Sequence, residues 1–179
     1  MTTDYQRVVE RQDLLRRAAE LSPKTIVIDV EPLVALWDTS RESLDEGLAA
    51  LLGQLGAIPG VEVVCFATNS ARRPSAVPDR AGIRVMYVSS ARKPMRLAPY
   101  RNLPRPGIVI GDQVATDGVL ARRLGYTFLH YSPHVAGVPV GPRLLQHCGE
   151  LVLPLVFRSA RVNRGKSGAH HDPGELSTL

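Results

Sequence analysis

Residues 25–34 read TIVIDVEPLV: four β-branched residues run unbroken into the carboxylate of Asp29. A strand that is apolar on both faces belongs between neighbours in a parallel sheet. Nothing in the packing of such a strand requires it to end in an acid. Residues 107–112, GIVIGD, repeat the design and end in Asp112. Shorter apolar runs at 61–67 (VEVVCFA), 83–88 (IRVMYV) and 126–131 (YTFLHY) are set off by Gly, Pro or polar turns and also read as strands.

The segments between these strands carry helical spacing. Residues 43–55, SLDEGLAALLGQL, start with Ser43 as the expected N-cap and place Leu44, Leu48, Leu51, Leu52 and Leu55 on one face. Residues 117–124 predict a helix stopped by Gly125, and 93–100 a short one despite Pro94 and Pro99. Residues 4–21 read as a leading amphipathic helix with Val8, Leu15 and Ala19 on one face, halted by Ser22-Pro23. The alternation predicts an α/β, Rossmann-like fold: a central parallel sheet of about five strands flanked by helices, with functional groups at the carboxyl ends of the strands. The expected organisation is a helix over 1–22 packed on a core domain of 23–157. Within that core, 141–157 is read as a short helix and an apolar end piece, and 158–179 as a disordered basic tail.

Bulk properties narrow the partners. A chain of 179 residues closes one core rather than two. The formal charge of +5 favours acidic partners, although Arg16-Arg17, Arg72-Arg73 and Arg122-Arg123 read first as solvated surface. An aromatic share of 5% argues against a base-stacking surface, so nucleic acid is an unfavoured partner. Cys65 and Cys148 read as core thiols and not as a disulfide framework. With no apolar leader and no stretch approaching a membrane span, the expected location is cytoplasmic.

The polar residues that close the strands carry the chemistry: Asp29 and Glu31, Thr68, Lys93, and Asp112 with Asp117. Alone, each has an ordinary reading as a cap, a turn residue or a solvated charge. Gathered at one sheet edge they acquire another. Several carboxylates in one cleft repel unless a cation neutralises them, and hard oxygen donors suit Mg²⁺. Lys93 and the Thr68 hydroxyl would then compensate a transferring phosphoryl group.

In this order the residues resemble the four motifs of the haloacid dehalogenase superfamily: strand-Asp-x-Asp-x-Thr, strand-Ser/Thr, Lys, and strand-Gly-Asp followed by another Asp. Residues 24–135 cover them. Within the superfamily, FATNSAR, ARKP and GDQVATDGVLARRLGYTFL are similar to the YqeG-type phosphatases related to phosphatidylglycerophosphate phosphatases. The resemblance implies Asp29 as the nucleophile that forms an aspartyl phosphate and Glu31 as acid and base. It implies Thr68, Asn69 and Lys93 at the phosphate. Mg²⁺ would be held by Asp29, the main-chain carbonyl of Glu31, Asp112 and Asp117.

Motif I departs from the pattern at Glu31, Pro32 and Leu33, where the superfamily has Asp, Asn and Thr. A misplacement of about 1 Å can cost about 100-fold in rate, so a catalytically impaired binding or scaffold module stands beside the phosphatase. Neither cap insertion point has room for a domain, which predicts an open site. An open site suits a large or membrane-presented phosphate ester such as a phospholipid phosphate, or a lid supplied by a second copy in a homo-oligomer. Arg72 and Arg73 flank motif II as candidate contacts to a second phosphate. Trp37 reads first as packing on the flap after motif I. The apolar GELVLPLVF with Arg158, Arg161 and Arg164 allows a peripheral membrane contact, although core packing is the simpler reading. His130 and His134 are read as structural, and His170-His171 has no role.

Overall fold

The computed structural model describes residues 4–133 together with Gly149, Leu151, Leu153, Pro154, Val156 and Phe157. The expectations for His134, Cys148, His170-His171 and the tail 158–179 lie outside the described residues, as does most of the helix expected after Gly141. The elements are β1 (Tyr5–Val8), α1 (Arg11–Glu20), β2 (Thr25–Asp29), α2 (Arg41–Leu55), β3 (Val63–Ala67), β4 (Arg84–Val88), β5 (Gly107–Gly111), α3 (Val119–Leu124) and β6 (Thr127–Tyr131).

Among the described residues all strands pair in parallel in one sheet of six, ordered β1-β6-β5-β2-β3-β4. The α/β, Rossmann-like fold read from the strand pattern is the one observed. The chain leaves β2 toward β3 and β4 on one side and returns to β5 and β6 on the other. A switch point thus opens at the carboxyl ends of β2 and β5, where α/β sheets gather their functional groups. Among the described residues no inserted domain covers it, and no helix is long and apolar enough to cross a membrane.

β2, β3 and β5 are buried along their whole length because both sheet faces are covered. One face packs Ile26, Ile28, Val64, Phe66, Ile108 and Ile110 against Leu14 and Ala18 of α1 and Leu44, Leu48, Leu51, Leu52 and Leu55 of α2. The other packs Val27, Cys65, Val109 and Phe128 against α3, Tyr100, Leu103 and Phe157. The period of two along each strand divides these sets. Of the two cysteines, Cys65 is buried in this second layer, as the apolar run around it predicts.

Three local expectations are corrected. The leading helix is shorter than its pattern, because residues 5–8 form β1 and pair with β6, Phe128 N–H donating to Asp4 O at 2.9 Å and Ser132 N–H to Val8 O at 2.9 Å. An exposed edge of backbone donors and acceptors on β6 outweighs a moderate helical propensity, and the sheet gains a sixth strand over the expected count. The N-cap of α2 is Ser40 and not Ser43, its hydroxyl accepting from Ser43 N–H at 3.2 Å. Residues 93–100 form successive turns without a helix, with Arg96 N–H on Arg92 O and Tyr100 N–H on Leu97 O, since Pro94 and Pro99 cannot donate to a helical ladder.

Candidate active site

The strand ends bring the acids and the lysine together. Asp29 closes β2, Asp112 follows β5, and Asp117 lies in the wide turn of 114–118 that leads into α3. One carboxylate oxygen from each of the three lies within 4.8 Å of the others, and all three residues are buried. Lys93 Nζ is 2.8 Å from Asp29 Oδ1 and 2.8 Å from Asp117 Oδ1, and it donates to Ala67 O at 3.2 Å.

Burial drives the Asp29 carboxyl well above the usual carboxylate range. Asp117 and Asp112 push it the same way, and Lys93 opposes them. Burial alone would pull the Lys93 ammonium down, but Asp117 and Asp29 outweigh it and hold its pKa above the usual lysine range. Three carboxylates against one ammonium leave the cluster short of positive charge. This set of hard oxygen donors therefore fits a small divalent cation.

The turn that carries Asp117 is shaped by its own side chain. Gln113 N–H points at Asp117 Oδ2 at 3.4 Å, and Gln113 O accepts from Asp117 N–H at 2.8 Å. A methyl group on Gly111 would lie 2.4 Å from both Cγ and Oδ2 of Asp117, so the position before Asp112 has room for the carboxylate only as glycine.

Glu31 is buried, and its side chain turns into the cleft: Thr68 Oγ1 donates to Glu31 Oε2 at 2.8 Å. Since the Thr68 hydroxyl has one proton, it accepts from Ser70, whose N–H and Oγ each lie 3.0 Å away. Asn69, expected beside the phosphate, has its amide on the Lys93 main chain, accepting from Lys93 N–H at 2.7 Å. It thereby sets the loop from which Lys93 enters.

Arg72 is engaged elsewhere. Its guanidinium donates to Leu36 O at 2.7 Å, Thr39 O at 2.6 Å and Ser40 O at 3.0 Å, clasping the flap after β2. Arg73 donates to Ser89 Oγ at 3.1 Å. Trp37 is half-buried on the clasped flap. Sequence reasoning missed Arg72 as a clasp and His130 as a neighbour of the site. His130 Nε2 is 3.0 Å from Asp112 O. Compared with family models, curated proteins and solved structures, the chain matches none. The functional reading rests on these residues and their geometry.

Proposed function

We propose that the chain is a Mg²⁺-dependent phosphomonoesterase of haloacid dehalogenase type, working through an aspartyl phosphate on Asp29. The observation that supports this reading is the buried convergence of Asp29, Asp112 and Asp117 on Lys93 at the switch point of the sheet. A bound Mg²⁺, held by Asp29, Asp112, Asp117 and the main-chain carbonyl of Glu31, would supply positive charge against the phosphate oxygens.

The chain's own groups supply the remaining chemistry. The Asp29 carboxylate attacks phosphorus, the acyl phosphate bond forms, and the ester oxygen leaves with its electron pair. Lys93 and the bound cation would together favour the charged form of Asp29 against its burial, Lys93 also offsets the phosphoryl oxygens, and the Thr68 hydroxyl is a donor to them. Glu31 gives its proton to the leaving alkoxide. The resulting carboxylate then takes a proton from water, which attacks phosphorus and releases inorganic phosphate and Asp29. The open site favours a large or membrane-presented ester, a phospholipid phosphate among them. Release of phosphate from an aryl phosphate and from phosphatidylglycerophosphate, with and without Mg²⁺, tests the reading. Turnover no higher than that of Asp29→Asn overturns it.

A second reading, an impaired binding module, is favoured by one contact. The hydroxyl that would hold the phosphate is occupied by Glu31. If that contact blocks phosphate, Glu31→Asp raises turnover well above wild type. If Glu31 is the acid and base, wild type is already as active as the variant.

A further inference from the structure

His130 lies on β6, opposite Gly111 of β5 on one side and Arg7 of β1 on the other, and is 7% exposed. Its Nε2 is 3.0 Å from Asp112 O. A carbonyl oxygen only accepts, so Nε2 carries the hydrogen. Tyr5 Oη lies 2.8 Å from His130 Nδ1, so the hydroxyl pairs with the second ring nitrogen. The imidazole stacks on Phe128 at 5.6 Å between centroids, and Tyr5 packs against Phe128 at 5.9 Å and Phe157 at 5.2 Å. Both ring nitrogens are engaged and the ring cannot turn freely.

The peptide that His130 holds joins Asp112 to Gln113. Its carbonyl end accepts from His130, and its N–H end points at Asp117 Oδ2 at 3.4 Å. A trans peptide is planar with its C=O and N–H opposed, so fixing one end aims the other. Asp112, which supplies the carbonyl of this peptide, and Asp117, whose carboxylate meets its N–H, are both members of the carboxylate cluster.

We propose that Tyr5 and His130 are positioning residues that lock the Asp112–Gln113 peptide and, through it, set the Asp112 and Asp117 carboxylates for a divalent cation. β1 thus does more than cover the sheet edge, because its first residue sets the ring that orients the metal-binding turn. The inference rests on the cation site of the proposed phosphatase. Partners outside the ligand set typically change metal affinity about 10- to 100-fold when removed.

The test is Mg²⁺ titration of the full chain by calorimetry, with thermal unfolding recorded for every variant. His130→Leu is expected to weaken Mg²⁺ about 10-fold or more. Tyr5→Phe, which removes only a hydroxyl, is expected to weaken it several-fold. His130→Gln, which keeps one donor and one acceptor, is expected to recover most of the affinity lost in His130→Leu. A wild type that binds Mg²⁺ alongside a folded Tyr5→Phe of equal affinity overturns the relay and leaves the cation site standing. The same holds if His130→Gln binds no better than a folded His130→Leu. If His130→Leu does not fold, Tyr5→Phe and His130→Gln decide the question against wild type. A wild type that binds no Mg²⁺ overturns the cation site itself and the relay with it.

Discussion

At each end of β2 a lysine pairs with a carboxylate, at nearly the same distance and with opposite meaning. At the amino end Lys24 Nζ lies 2.9 Å from Glu62 Oε1, and both side chains are 50% exposed. At the carboxyl end Lys93 Nζ lies 2.8 Å from Asp29 Oδ1, with side chains 1% and 9% exposed. Contact length does not separate them; burial does. The exposed pair trades hydration for a screened attraction and nets almost nothing. The buried cluster gives up hydration on every member and is viable only because its charges answer one another. Such a cluster returns little stability for its desolvation, which fits the chemistry proposed for it.

Breaking the buried end should have the largest effect. Lys93→Met leaves three buried carboxylates facing one another, and denaturant unfolding should show a loss of about 3–5 kcal/mol, with the proposed phosphatase activity abolished. Added Mg²⁺ should return part of that stability, and a variant as stable as wild type without it would erase the contrast between the two lysines.

Glu31→Gln comes next. It retains an acceptor for Thr68 but cannot give up a proton, so kcat should fall about 100-fold with little change in unfolding midpoint. An unchanged kcat would remove Glu31 from the chemistry. Gly111→Ala follows, because its methyl would meet the Asp117 carboxylate at 2.4 Å. Calorimetric unfolding should show a cost of about 1–3 kcal/mol, accompanied by weaker Mg²⁺ binding. At the exposed end, Lys24→Ala should cost less than about 1 kcal/mol and leave turnover alone. A larger loss there would mean that exposure does not grade these pairs.

Much of the fold was legible because buried strands announce themselves. TIVID, VVCFA and GIVIG are apolar on both faces, and the leucines of 44–55 repeat at helical spacing. The acids at the strand ends were legible for the same reason, since their polarity contrasts with what precedes them. β1 was not, because YQRV sits in a run of helix formers and becomes a strand only by pairing with β6. The Ser40 cap was displaced by one turn for a similar reason: two serines three residues apart both suit a cap.

Within the site, sequence named the members but not their contacts. Glu31 meets Thr68 across 37 residues, and Tyr5 meets His130 across 125. Arg72 looked like a free cation until its donors were found on the carbonyls of the flap. No local pattern encodes such pairings.

By itself the sequence determined which segments are buried strands, which helices cover them and which charged residues end them. These follow from periodicity and from the cost of burying an unmatched polar group, both local properties of the chain. Tertiary structure alone decided that Lys93 bridges Asp29 and Asp117, that Glu31 turns onto Thr68, and that Tyr5 reaches the Asp112 turn through His130. Those contacts depend on strand order and register, which bring distant residues within hydrogen-bonding distance only once the sheet has closed around β2.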